Sequence, residues 1–217
     1  MQVITDNPIA SDSVDHLHPW GTAHDNSINV EFNKRLYKHF NRKISVMDLG
    51  CSGGGFIAMC HDDGNISVGI EGSDHSKKIK RAAWGTHPNI LFTSDITHDF
   101  QVLGDDGSPM KFDVITMWEV LEHIPEGEKL EKMFYNIVKH SKRGTLFIAS
   151  HSTRNDNVYG IEYHPTIHDT PWWLQKFAEC GFVERKDIFN LLEGHYIRGS
   201  GDNAPGSKVF AVEYTGG

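Results

Sequence analysis

The sequence predicts an α/β protein built on a doubly wound, Rossmann-like sheet, mostly parallel and finished by a C-terminal antiparallel hairpin. Three observations carry that reading. Short apolar runs without strict alternation recur along the chain, the pattern of strands covered on both faces. Helix-like stretches separate them, as right-handed crossovers between parallel strands require. The first run also leads directly into a glycine-rich turn and a helix, VMDLGCSGGG at 46–55. In such sheets a ligand binds at the carboxyl ends of the strands.

The elements follow in order. Residues 1–26 are polar and contain turn formers, and they read as a loose, flexible arm ahead of a single domain at 27–217. Over 27–41, Phe32, Leu36, Tyr37 and Phe40 share one face at helical spacing. ISVMDL (44–49) is the first strand, and 55–60 opens a short helix. ISVGIE (66–71) is the second strand, the polar stretch 73–83 a helix, NILFTS (89–94) the third strand and FDVITMW (112–118) the fourth. The stretch 129–141 is amphipathic, with Leu130, Met133, Phe134, Ile137 and Val138 facing inward, and GTLFIAS (144–150) is the fifth strand. Thr170 and Pro171 form an N-cap and first-turn pair for a helix that stops at Gly181. Two strand-like stretches, 182–189 and 207–214, then pair as an edge hairpin. The glycine-rich connection between them, 199–206 above all, reads either as a mobile lip or as a slack link.

Composition narrows the function. A chain of 217 residues supports one sizeable core. Its net charge of −8 disfavours loose binding to nucleic acid or to an anionic membrane. No apolar run reaches the length of a membrane span, and the first residues lack a basic-then-apolar secretory pattern. Cys51, Cys60 and Cys180 have no metal-ligand or CxxC spacing. They read as buried free thiols in a reducing, cytoplasmic setting.

The glycine turn selects among cofactors. A dinucleotide loop needs GxGxxG so that a helix N-terminus can approach a pyrophosphate. Here Cys51 and Ser52 follow Gly50, so the second glycine of that fingerprint is missing. Asp48 at the strand end would repel a pyrophosphate and welcome a cation. Glu71 closes the second strand, where an acid can hold ribose hydroxyls.

At these residues the sequence resembles the class I S-adenosylmethionine-dependent methyltransferases. Their acid-x-Gly-x-Gly-x-Gly motif is matched by Asp48, Gly50 and Gly54, with Ser52 in place of the middle glycine. That serine fits either a loop of negative φ or an added hydroxyl contact. The resemblance continues through Glu71, through Asp95 after the third strand and through FDVITMWEVLEHIPE at the fourth, covering roughly 27–214. It implies the class I methyltransferase fold and S-adenosyl-L-methionine as cofactor. On that basis the backbone of 50–54 approaches the methionine part, and Asp48 orients its ammonium. Glu71 takes the ribose hydroxyls, Asp95 accepts from the adenine amino group, and Ile96 packs near the ring. Trp118 and Glu119 border the methionine and face the acceptor.

Methyl transfer asks mainly for alignment of acceptor, methyl and sulfur, with a base where the acceptor carries a proton. Glu119, Glu122 and His123 share one face if 119–123 is helical. The catalytic assignment follows: His123 is the base and a glutamate orients its other nitrogen. The Glu-x-x-Glu-His pattern also resembles that of metal-assisted O-methyltransferases, including ubiquinone-biosynthesis and small-RNA 2′-O-methyltransferases. A divalent metal is therefore the alternative, with His151, His164 or His168 as further ligand, and plain bracing of the segment is the third reading. The loop 151–173 and the arm at 16–26 are the expected walls for the acceptor. The expected activity is methyl transfer to an oxygen of a small molecule such as a sugar or phenol. Metal-assisted RNA 2′-O-methylation and a non-catalytic cofactor-binding subunit stand as alternatives.

Overall fold

The computed structural model describes residues 1–199 and 206–216. The connection 199–206 therefore lies, apart from its two end glycines, outside the described residues. In chain order the elements begin with β1 (Gln2–Thr5), α1 (Val14–Leu17), α2 (Trp20–His24), α3 (Val30–Phe40), β2 (Ser45–Leu49) and α4 (Gly55–Asp62). Next come β3 (Ile66–Glu71), α5 (His75–Lys78), α6 (Ala83–Thr86), β4 (Leu91–Thr93), β5 (Phe100–Leu103) and β6 (Phe112–Trp118). After a 3₁₀ turn at Leu121–His123 follow α7 (Glu128–Lys139), β7 (Ser141–Ser152), β8 (Asn157–Val158) and β9 (Ile161–Glu162). The chain closes with α8 (Thr170–Glu179), β10 (Phe182–Glu184), α9 (Lys186–Leu192) and β11 (Ser207–Tyr214).

The main sheet has seven strands in the order β10-β11-β7-β6-β2-β3-β4. Strands β4, β3, β2, β6 and β7 are parallel to their neighbours. β11 runs antiparallel to β7, and β10 antiparallel to β11. From β2 the chain winds outward to β3 and β4, then returns to β6 on the other side. The carboxyl ends of β2 and β6 thus flank the switch point where ligands bind in open α/β sheets.

Each face of the sheet carries its own core, because successive strand residues point to opposite sides. On one face Met47, Leu49, Ile115, Met117 and Phe147 pack against Leu130, Met133, Phe134 and Ile137 of α7 and Trp173 and Phe177 of α8. On the other, Val46, Val114, Leu146 and Ile148 pack against Phe32 and Leu36 of α3, Phe56 and Ile57 of α4, and Ile188 and Leu192 of α9. All seven residues of β6 are buried, which is why its sequence shows no alternation. The mostly parallel sheet with its antiparallel edge is the fold class read from the sequence.

Three local expectations are corrected. The stretch 73–83 is not one helix: it breaks into α5 and α6, with Lys80 at φ 53° and Ala82 at φ 47°. The break lets Arg81 turn inward, where its Nε donates to Ser76 Oγ at 3.1 Å and NH2 donates to Asp25 O at 2.6 Å. The stretch 182–189 is a strand only over β10. Arg185 N–H makes one further bond to Ala211 O, and α9 then buries Ile188 and Leu192 at helical spacing. The 1–26 segment is laid onto the domain rather than loose: β1 pairs antiparallel with β5, and Ala10 N–H donates to Gly72 O at 2.9 Å. Its helices are too short to carry a readable apolar stripe. Among the described residues no helix is long and apolar enough to cross a membrane. The three cysteines are free; Cys51 and Cys60 are buried, Cys180 half-buried.

Candidate active site

A cavity of about 700 Å³ opens at the carboxyl ends of β2, β3 and β6. Its floor starts at the turn after β2. Gly50 adopts φ 81°, where only glycine is free of strain, and a Cβ there would lie 2.4 Å from Val120 Cγ2. Bare backbone is what lets the segment after β6 close against the turn. Ser52 also adopts a positive φ, 45°, so the loop does not avoid the left-handed region at this position. Its hydroxyl donates to Asp25 O at 2.9 Å and accepts from Arg81 NH2 at 3.0 Å. Of the two readings of this serine, the hydroxyl contact is the one realised. Gly54, at φ 77°, caps α4 and lies behind the cavity, where a Cβ would meet Leu91 Cδ1 at 2.6 Å.

The acids sort by position. Asp48 is buried beneath the turn and accepts from Thr116 Oγ1 at 2.6 Å; it does not line the cavity. Glu71 does line it, and its carboxylate accepts from Ser52 N–H at 2.7 Å and Ser73 N–H at 3.0 Å. Burial pushes Asp48 up to about 8, with the charges of Asp25 and Glu71 adding to it against the Thr116 hydroxyl. Burial likewise pushes Glu71 up to about 7, opposed by the Ser73 and Ser52 amides. A cation at the turn relieves both strains at once.

Asp95 and Ile96 form a second wall. Asp95 Oδ1 accepts from Thr97 N–H at 2.8 Å, and Oδ2 lies 3.0 Å from His98 Nδ1. The carboxylate thus ties down its own loop while the loop faces the cavity. Trp118 lines the cavity with its ring edge-on to Phe32 at 5.3 Å, and its buried Nε1 has no hydrogen-bond partner among the described residues.

The segment after β6 departs from helical geometry. Glu119 sits at φ 56°, and only Leu121–His123 forms a 3₁₀ turn. The shared face expected of Glu119, Glu122 and His123 is therefore split. Glu119 reaches sideways to accept from Ser207 Oγ. Glu122 turns into the protein and accepts from Ser152 N–H at 2.7 Å, leaving its buried Oε2 without a partner among the described residues. His123 lines the cavity, with Nδ1 2.9 Å from Asp15 Oδ2 on α1 and its ring edge-on to His164 at 4.7 Å. Burial alone would lower the His123 pKa. The Asp15 hydrogen bond and charge, with Glu122 and Glu119, outweigh it and raise the imidazole to about 9. Burial raises Glu122, and Glu119 adds to it against the charge of His123.

The two segments expected as acceptor walls both line the cavity: Ser152, Asp156, Glu162, Tyr163 and His164 from one, Trp20, Gly21, Thr22, His24 and Asp25 from the other, with residues 12–15 added ahead of the expected bounds. Tyr163 OH donates to His18 O at 2.9 Å and joins them. Of the histidines weighed as metal ligands, His151 lies 3.1 Å from Thr170 Oγ1 and His168 lies 2.9 Å from Glu126. Only His164 joins the cluster: ligand atoms of Glu122, His123 and His164 lie within 4.8 Å of one another. One carboxylate and two imidazoles suit a divalent first-row ion, and the orphaned Glu122 Oε2 is a lone acceptor of the kind a cation satisfies. The donor set fits. Asp15, Asp25, Arg81 and Arg198 were not foreseen; they act across long sequence separations that no local spacing reports.

A family model described as a methyltransferase domain matches residues 24–195, the span that contains the sheet switch point and most of these walls. The chain belongs to the methyltransferase domain family. The chain is 32% identical over 106 residues to a ubiquinone biosynthesis O-methyltransferase of Glaesserella parasuis, a match covering 48% of the chain and 44% of that relative. It is 29% identical over 167 residues to one of the same name from Coxiella burnetii, covering 70% of the chain and 67% of the relative. The chain thus spans less than half of the first relative and two thirds of the second. Among solved structures its fold is similar to an S-adenosylmethionine-dependent methyltransferase from Clostridium acetobutylicum, with a TM-score of 0.58 at 12% identity over 86% of this chain and 90% of that one. It is also similar to a magnesium protoporphyrin IX methyltransferase from Synechocystis with bound SAH, with a TM-score of 0.56 at 14% identity over 94% and 96%. The chain shares the class I fold with both of these structures.

Proposed function

We propose that this methyltransferase moves a methyl group from S-adenosylmethionine to an oxygen of a small-molecule acceptor. The observation that carries the reading is the Asp15–His123 pair on the wall of a cavity whose floor is a glycine turn surrounded by acids, with Glu122 buried beside it. The buried Asp48 and Glu71 favour a donor with a sulfonium and an ammonium over one with phosphates. The backbone at Gly50 takes the methionine part, Glu71 the ribose, and the Asp95–Ile96 wall the adenine. Asp48 acts from beneath the turn, through its field. The O-methyltransferase names of the relatives support oxygen as the acceptor atom.

Asp15 occupies Nδ1 of His123, so Nε2 is the nitrogen left for the acceptor's proton. With no other cation beside it, His123 holds its proton at neutral pH. The donor's sulfonium opposes a second positive charge and drives the ring toward its neutral, basic form. A second reading rests on the same place. A divalent ion held by Glu122, His123 and His164 supplies a Lewis acid that lowers the pKa of an acceptor hydroxyl.

The deciding experiment is transfer from radiolabelled S-adenosylmethionine to a panel of phenols and sugars, in wild type and H123A, with and without chelator. Acid–base work predicts a loss of about 10²–10⁴-fold in H123A with cofactor binding retained, and indifference to chelator. The metal reading predicts activity abolished by chelator and restored by Mn²⁺ or Mg²⁺. Label found on nitrogen overturns the oxygen assignment, and full turnover by H123A overturns the role given to His123.

A further inference from the structure

We infer that Arg198 is the receptor for the cofactor's α-carboxylate, gripping it at the methionine end of the cavity. The inference rests on the donor reading above and assigns a charge that the donor motifs leave unanswered. S-adenosylmethionine brings a sulfonium and an ammonium, which the acids of this cavity welcome, but it also brings a carboxylate, which they repel. A cation must stand where that carboxylate lies. Among the described residues lining the cavity, the permanent cations are Lys129 and Arg198. Lys129 belongs to α7 and is committed to Asp12, 2.6 Å away.

Two independent contacts fix where Arg198 stands. Its NH1 lies 2.8 Å from Asp25 Oδ1, and the carbonyl of Asp25 accepts from Ser52 Oγ at 2.9 Å. Arg198 is therefore one residue removed from the glycine turn. On its other side Gly199, at φ 85°, is so close to β7 and β11 that a Cβ would lie 2.9 Å from Ser150 Cβ and 3.0 Å from Val209 Cγ2. Ser150 Oγ in turn accepts from Glu119 N–H at 3.0 Å. Arg198 is thus pinned between the turn after β2 and the end of β6, the two edges of the crevice that holds the methionine part.

The guanidinium also has an unsatisfied edge. NH1 is anchored by Asp25, while the buried Nε has no hydrogen-bond partner among the described residues. A carboxylate takes a guanidinium through two parallel N–H bonds, and the Nε edge offers that fork. The competing role is purely structural, with Arg198 and Asp25 clamping the N-terminal segment onto the turn. The two roles differ in which ligands they affect.

Calorimetric titration of the full chain with S-adenosylhomocysteine, its decarboxylated analogue and 5′-methylthioadenosine separates them. Losing charge-assisted hydrogen bonds to one carboxylate should weaken S-adenosylhomocysteine by about 10–100-fold in R198Q. Methylthioadenosine, which lacks the carboxylate, should bind both proteins alike, and R198K should fall between because it keeps the charge without the fork. Equal losses for both ligands assign Arg198 to clamping and overturn the proposal, as does undiminished S-adenosylhomocysteine binding by R198Q. Wild type supplies a test that needs no variant to fold: equal affinity for S-adenosylhomocysteine and its decarboxylated analogue also overturns it. Failure of wild type to bind any of the three would instead sink the donor reading beneath it.

Discussion

At the scale of single residues the glycine turn shows two effects in opposition. A left-handed Ser52, at φ 45°, carries a backbone strain of about 1–2 kcal/mol. Its hydroxyl donates to Asp25 O at 2.9 Å and accepts from Arg81 NH2 at 3.0 Å, and such bonds contribute about 0.5–1.5 kcal/mol each. The magnitudes nearly cancel, which accounts for a serine where the family motif has glycine. The two simplest substitutions should therefore part company. S52A keeps the strain and loses the hydroxyl, so urea unfolding should show a loss of about 1–2 kcal/mol. S52G loses both, and its stability should stay within about 1 kcal/mol of wild type. Equal destabilisation by the two would mean that φ at this position carries no strain. Both variants should loosen the N-terminal segment, which Ser52 tethers.

At the scale of elements, sequence reading named 16–26 of that segment as an acceptor wall but took it for a loose arm and missed Asp15. The turn, Glu71, Asp95 and the end of β6 were legible because each sits at the carboxyl end of an apolar run. Residues 1–26 have no apolar stripe; they are held by backbone carbonyls, Thr22 O and Asp25 O among them, and hydrogen bonds of that kind leave no periodic trace. The pairing of Asp15 with His123 spans 108 positions, so no spacing could announce it. The helix expected over 119–123 failed for a related reason: Glu119 N–H donates to Ser150 O, which pulls the backbone out of helical register. α1 consequently controls the histidine. His123 is raised to about 9, so its pairing with Asp15 stabilises the fold fully below the unfolded value of ~6.5 and is lost as pH rises through about 9. In D15N the charge vanishes and only a weaker, neutral amide oxygen is left to accept, while burial, which lowers a histidine, remains. An NMR titration of the His123 ring in metal-free protein should find its midpoint well below that of wild type in D15N. An unmoved midpoint would show that α1 does not govern the ring.

At the scale of the whole molecule, one buried histidine links the cavity wall to the small β1–β5 sheet. His140 closes α7, fully buried and stacked on Phe100 at 4.7 Å. Its Nε2 accepts from Val102 N–H at 3.1 Å, and Nδ1 lies 2.8 Å from Asn136 O. Asn136 Nδ2 donates to Ile96 O at 2.9 Å, so the chain of bonds ends on the wall assigned to adenine. Protonated Nε2 cannot accept, and acid should loosen β5, its partner β1 and that wall together. Burial holds His140 down at about 4, well under the 6.5 of the unfolded chain. The folded state therefore binds fewer protons than the unfolded one between those values. Its stability contribution is complete above ~6.5 and disappears as pH falls toward 4, by up to roughly 3 kcal/mol. Asp48 and Glu71 act with the opposite sign: their raised pKa values favour the fold in acid and lose that advantage as pH climbs toward 8 and 7. A single stability curve mixes the two. The difference between wild type and H140Q isolates the histidine, because the carboxylates are common to both proteins. Measured by urea unfolding, that difference should be constant above pH 7 and shrink steadily between pH 6.5 and 4. A difference that stays flat down to pH 4 would mean that His140 titrates normally and that the bond to Val102 is not what holds the wall.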